Sequence, residues 1–137
     1  MPSGSCFCQK LKYEFTGEPE GVAICHCLSC QKISGSTNTL NLIIPVDRVH
    51  FTVGSPKTCT ESHEIGMKIT LHFCGNCGGV LYKTADLDMF AGKAVVQIGT
   101  LDDATAIKQA KPDMELWTKY RAPWLPSLEG VVQKTEF

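Results

Sequence analysis

The sequence has no apolar run approaching the roughly 18 residues that a membrane span requires. Its first residues, MPSGSCFCQKLKYEF, hold no positive segment followed by an apolar one, the arrangement of a secretory leader. The cytoplasm is therefore the expected location. An excess of charge of one sign is also lacking: 13 Lys and Arg stand against 14 Asp and Glu, a formal charge of -1. That balance gives no electrostatic reason to expect a nucleic acid, and no basic tract suits an anionic membrane. Apolar residues make up 43% of the chain and charged residues 20%, which argues against disorder. Repeats, low-complexity tracts and linkers are absent. A chain of 137 residues suits one domain, expected over residues 1–137, and is long enough to bury a core without disulfides.

Helix signals are scarce. One turn is expected over Ser29–Ser34, and a short helix over Ala104–Ala110, capped by Asp102 or Asp103 and ended before Pro112. Short extended segments dominate instead. Lys10–Thr16 alternates with Leu11, Tyr13 and Phe15 on one side, and Lys68–Phe73 alternates Ile69, Leu71 and Phe73. Gly21–Cys27, Thr39–Ile44, Val49–Val53, Gly79–Lys83 and Ala94–Gly99 complete the set. Turn residues punctuate these runs at short intervals, the pattern of a mainly β domain. Trp117–Gly130, with Pro123 and Pro126 inside it, is expected to be extended chain on the surface.

Cysteine is abundant: eight in a chain without a secretory leader, where disulfides are rare. Seven of them sit in three tight groups, Cys6/Cys8, Cys25/Cys27/Cys30 and Cys74/Cys77. Groups this close serve a metal better than a disulfide framework, because one ion can collect two ligands from one turn. Phe73-Cys74-Gly75-Asn76-Cys77-Gly78-Gly79 reads as half of a zinc knuckle, its glycines permitting positive φ and freeing backbone N–H groups toward sulfur. Paired with Cys6 and Cys8 it makes a closed, four-sulfur structural site. The trio is then left with three thiolates and one open position, and open sites do chemistry whereas closed ones stabilise folds. A rival reading closes the trio with Cys59, His26, His63 or His72 as a second structural site. His26, between two ligands, is expected to point away from the metal. Cys59 alone reads as a small buried residue, and His50 as a surface one.

The Gly4-Ser5-Cys6-x-Cys8 opening, the Cys25-His26-Cys27-x-x-Cys30-x-Lys32-x-x-Gly35-Ser36 centre and the Phe73-Cys74-x-x-Cys77-Gly78 knuckle together resemble the glutathione-dependent formaldehyde-activating enzyme family, which includes centromere protein V. Ile98-Gly99-Thr100-Leu101-Asp102-Asp103 and Pro123-Trp124 are similar to it as well, so the resemblance spans roughly residues 4–130. It implies an Mss4-like fold of several coiled antiparallel β-sheets around a structural zinc held by Cys6, Cys8, Cys74 and Cys77. It implies a second, catalytic zinc on Cys25, Cys27 and Cys30, hence two Zn²⁺ per chain. It also implies carbon–sulfur lyase chemistry on a glutathione-type adduct of an aldehyde. Gln31, Lys32 and Ser36 are near enough in sequence to position a small-molecule substrate; Tyr120, Arg121 and Trp124 can approach from the tail. Two positions depart from the pattern: Gln9 stands where Gly is common, and Gln31 where Arg is usual. The second change keeps open a zinc-dependent elimination, dehydration or isomerisation of a biosynthetic intermediate without glutathione. A non-catalytic zinc interaction module is the third reading. No cysteine follows Cys77, which disfavours the chemistry of methionine sulfoxide reductase, a relative by fold.

Overall fold

A computed structural model describes residues 1–137. Eleven strands form two sheets, and the fold is mainly β. The smaller sheet joins β1 (Ser3–Ser5), β2 (Lys12–Phe15) and β5 (Val49–Val53) in the order β1-β2-β5. The larger comprises β3 (Gly21–Cys25), β4 (Thr39–Pro45), β6 (Lys57–Ser62), β7 (Lys68–Phe73), β8 (Val80–Ala85), β9 (Lys93–Gln97), β10 (Met114–Leu116) and β11 (Val132–Gln133). Its order is β11-β10-β3-β4-β9-β8-β7-β6. All its pairings are antiparallel except those of β10, which runs parallel to both β3 and β11. No helix is long and apolar enough to cross a membrane.

Alternation places the core. Leu11, Tyr13 and Phe15 all bury against Leu42, Ile44, Leu81 and Val96, so the small sheet closes over one face of the large one. A second buried cluster gathers Cys25, Cys27 and Cys30 with Ala23, Leu116 and Trp117. The expected strand over Gly21–Cys27 ends at Cys25, because α1 (Leu28–Ser34) needs a cap. Cys27 supplies it, its sulfur accepting from Cys30 N–H at 3.3 Å. Gly35 closes α1 in the left-handed conformation, φ 64°, where a Cβ would be strained. The second helix, α2, is shorter than expected, spanning Ala106–Gln109, and Asp103 accepts from the Thr105 N–H and hydroxyl just before it.

Two expectations need correction. Cys59 is exposed, because it lies on β6, an edge strand of polar residues that covers nothing. Trp117 is not surface chain: it is 0% exposed and takes φ 58°, ψ 43°, a left-handed conformation that drives its indole into the trio cluster. Its ring stacks on Tyr120 and meets His63 and Phe137 edge-on.

Candidate functional site

The Cys6, Cys8, Cys74 and Cys77 sulfurs lie within 4.8 Å of one another. The knuckle earns this by its turn: Gly78 N–H donates to Cys74 O at 2.8 Å with Gly78 at φ 76°. Asn76 N–H and Cys77 N–H both reach the Cys74 sulfur, and Leu11 N–H reaches that of Cys6. Gln9, at φ 64°, occupies the left-handed position that follows Cys8. Four soft donors, fed by backbone N–H groups, fit a tetrahedral thiophilic ion.

The trio forms a second group, its three sulfurs again within 4.8 Å and all three residues buried. No histidine or fourth cysteine joins that group. One edge of it comes from the end of β3, another from the first turn of α1. Lys83, buried on β8, donates from Nζ to the Cys30 sulfur at 3.3 Å and to Thr39 Oγ1 at 3.4 Å. Cys25 and Cys27 together with Lys83 hold the Cys30 thiol well below its ordinary range, against burial. Cys25 is pushed up by its two neighbouring thiols and by burial. Cys27 is eased down by Cys25 but carried to about 11 by Cys30 and burial. Of the three, Cys30 is the thiol whose surroundings most favour the ionised form. The donor set, three sulfurs, fits a soft divalent ion with a position left over.

Metal binding here has a measurable consequence. Zinc on the trio would take the sulfurs as thiolates, so loading releases protons. Its apparent affinity is expected to fall as the pH drops between about 9 and 6. Chelator competition at three pH values reads the trend; an affinity independent of pH would contradict it.

Beside the trio lies a cavity of about 40 Å³, mostly apolar, with Ile43, Met67, Ile69, Phe90, Val95 and Phe137 among its walls. The same cavity touches Lys83, Asn41 and His63. Burial lowers the pKa of His63, favouring the neutral ring. An outer groove of about 550 Å³ runs along α1, shares Ile69 with the cavity and is lined by Ser29, Lys32, Glu61 and Glu64.

Five buried side-chain atoms lack a hydrogen-bond partner: His26 Nδ1, Asn41 Oδ1, His63 Nε2, Trp117 Nε1 and Arg121 Nε. Asn41 and His63 line the cavity, Trp117 packs on the trio, and His26 and Arg121 both approach Glu115 beneath it. Each such atom costs about 1–3 kcal/mol. The two on the cavity wall, Asn41 Oδ1 and His63 Nε2, are the ones that ask for a partner beside the trio.

The residues expected to touch substrate are placed unevenly. Gln31 spends its amide on the backbone, donating to His26 O at 3.1 Å and Tyr120 O at 3.4 Å. Lys32 lines the outer groove, not the cavity. Ser36 is exposed beyond the end of α1, and Trp124 is 72% exposed; neither lines the cavity. Tyr120 donates to Glu64 at the groove's edge. His26 turns to Glu115, with Nε2 and Oε1 2.8 Å apart, away from the trio as expected. Lys83 and Asn41 were not legible as site residues, although each is a polar exception inside an apolar strand run.

Comparison with known proteins bears on the fold and the family. A crystal structure of a Rhodobacter sphaeroides protein superposes with a TM-score of 0.58, covering 80% of this chain and 96% of that one at 13% sequence identity, which speaks to the fold. No curated protein gives a match. The family profile described as "Glutathione-dependent formaldehyde-activating enzyme" matches residues 1–120, well over half of the chain, and spans both cysteine clusters. The chain belongs to the glutathione-dependent formaldehyde-activating enzyme family.

Proposed function

We propose that this protein is a zinc-dependent carbon–sulfur lyase acting on the adduct of a glutathione-type thiol with a small aldehyde. The observation that carries this reading is the pairing of three buried sulfurs with a cavity of about 40 Å³ lined by Asn41 and His63, each with an unpartnered polar atom. Cys6, Cys8, Cys74 and Cys77 would hold a structural zinc, and Cys25, Cys27 and Cys30 a catalytic one. A zinc ion on the trio would supply Lewis acidity at its remaining coordination position.

The protein's own side chains do the rest. Lys83 donates to the Cys30 sulfur and joins Cys25 and Cys27 in favouring its ionised form. Ile43, Met67, Ile69 and Val95 keep bulk water from the reacting carbon. The cavity exceeds the 10–15 Å³ or so a single water needs but is far below the roughly 300 Å³ of a drug-sized pocket. It therefore takes a sulfur and a one- or two-carbon unit, while the peptide of the thiol stays outside. The outer groove is the place for that peptide, with Lys32 facing its carboxylates. In the forward direction the sulfur–carbon bond forms, the carbonyl π bond breaks, and the thiol proton ends on oxygen. The reverse step collapses the hemithioacetal.

A second reading, lyase or isomerase chemistry on a substrate without glutathione, is favoured by one observation. Gln31 is consumed by backbone contacts and offers a thiol's carboxylate no charge. One experiment separates the readings. Protein loaded with two zincs is mixed with glutathione and ¹³C-formaldehyde, and the exchange between free and adduct carbon is followed by NMR. The lyase reading expects exchange to accelerate in proportion to protein. An unchanged exchange rate at full zinc content would remove it and leave the glutathione-free enzyme or the interaction module.

A further inference from the structure

His63 lies in the turn between β6 and β7, 3% exposed, and nothing in the lyase scheme above uses it. Its backbone is fixed on both sides: its N–H donates to Met67 O at 2.7 Å, and Gly66 N–H donates to its carbonyl at 2.8 Å. The ring is wedged against Trp117, centroids 4.9 Å apart, and Phe137, 5.6 Å apart. Ile65 N–H donates to Nδ1 at 3.3 Å. A nitrogen that accepts cannot carry the proton, so the neutral ring holds its proton on Nε2. Nε2 has no partner, and the residue lines the cavity beside Cys25, Cys27 and Cys30.

That tautomer decides between two roles. As a fourth metal ligand, Nε2 would need a free lone pair, which moves the proton to Nδ1, where it would face Ile65 N–H. The ligand atoms within 4.8 Å of one another here are the three sulfurs and no imidazole nitrogen. His63 is thus a donor that lacks an acceptor. Asn41 complements it. Its Nδ2 donates to Thr39 Oγ1 at 2.9 Å and Ala23 O at 3.4 Å, which fixes the amide's orientation and leaves Oδ1 as an acceptor without a donor. One N–H donor and one acceptor, in a space fit for a few heavy atoms, match a small hydroxyl, which both accepts and donates. They do not match an ether or a thioether, which only accept.

We propose that His63 is a catalytic residue of the lyase reaction, donating from Nε2 to the oxygen of the aldehyde carbon while Asn41 Oδ1 accepts from that oxygen once it is a hydroxyl. The assignment rests on the lyase reading. As sulfur adds to the carbonyl carbon, the π electrons move to oxygen, where the His63 N–H meets the growing charge. The oxygen then takes the proton the thiol released, and its O–H turns to Asn41. The reverse reaction returns that proton to sulfur.

Two variants and one spectrum test this. His63→Phe keeps a ring between Trp117 and Phe137 but removes the donor; His63→Gln restores an N–H near the Nε2 position. Both are expected to retain two zincs per chain. His63→Phe is expected to lose about 100-fold in kcat, in line with removal of one donor to a developing oxyanion. His63→Gln is expected to stay within about tenfold of wild type. In ¹⁵N-histidine-labelled holoprotein, His63 is expected as the Nε2–H tautomer, its Nε2 resonance moving when glutathione and formaldehyde are added together. Loss of a zinc in either variant, a His63→Phe kcat within twofold of wild type, or an Nδ1–H or metal-bound ring would each overturn the assignment. Failure of the lyase reading looks different: wild-type holoprotein does not accelerate exchange, the resonance does not move, and the assignment falls with it.

Discussion

Cys74→Ser is expected to abolish folding, whereas Cys27→Ser is expected to leave a folded chain with about one zinc fewer. The two cysteines are both 2% exposed, so burial does not distinguish them. What differs is the chain each cluster holds together. Cys8 and Cys74 are 66 residues apart, and their sulfurs meet at 3.7 Å. An ion bound between them would pin the start of the small sheet to the knuckle that follows β7. Closing a loop that long is entropically expensive for the free chain. Structural zinc in finger peptides contributes an apparent 10–16 kcal/mol or so, as much as the whole stability of an ordinary domain at roughly 5–15 kcal/mol. The trio closes a loop of a few residues, and its strand, β3, is already held by backbone pairing to β4 and β10. Circular dichroism, zinc content and tryptophan emission read both variants. A cooperative melt in Cys74→Ser would refute the structural role. Loss of the melt in Cys27→Ser would make the trio a second structural site and remove the ground for chemistry there.

What could be read from the sequence follows from where hydrophobic period and ligand spacing carry information. β2, β4, β5, β7 and β9 were legible because each alternates or runs apolar for several residues. Both cysteine clusters were legible because metal geometry demands short spacings that packing does not. β6 was not, since Lys57–Ser62 is a polar edge strand with every residue exposed and no face to bury. β10 and β11 were not, since strands of three and two residues show no period; tertiary pairing of β10 to β3, and of β11 to β10, creates them. Trp117 was misplaced because nothing local announces its left-handed backbone. The cavity's polar atoms left a trace that was passed over. Asn41 interrupts Thr39–Ile44 and Lys83 interrupts Val80–Ala85, and a polar residue inside an apolar strand is buried at a cost that asks for a reason. Gln9 is the converse case. Its φ of 64° shows why the related pattern has glycine there, and Gln9→Gly would relieve that strain.

Glu115→Ala is expected to destabilise the protein by about 3–5 kcal/mol, the range for removing one partner of a buried, hydrogen-bonded charge. Glu115 lies on β10, 2% exposed, where the last segment of the chain meets the trio. One carboxylate oxygen is 2.8 Å from His26 Nε2 and 3.5 Å from Arg121 Nε; the other accepts from Leu128 N–H at 2.9 Å and Gln133 Nε2 at 2.7 Å. It thus ties β11 and the loop before it to a histidine that lies between two trio cysteines. Burial opposes the charge, but Leu128, Gln133, His26 and Arg121 outweigh it and hold the carboxyl at about 2, against an ordinary 4.5. A folded-state pKa below the unfolded one stabilises fully above pH 4.5, and that contribution is lost as pH falls through about 2. The difference is worth roughly 3 kcal/mol at neutral pH, consistent with the mutational range. Alanine also leaves the buried His26 Nε2 without its partner and takes the carboxylate from beside Arg121. Urea melts at pH 7 should therefore separate wild type from Glu115→Ala by about 3–5 kcal/mol, with the gap constant down to pH 5 and narrowing below pH 4.5 or so. Limited proteolysis should cut the variant first within residues 118–137, which the carboxylate no longer holds. A variant as stable as wild type at pH 7, with its tail still protected, would show that backbone pairing with β10 holds the segment and that the carboxylate network adds nothing to it.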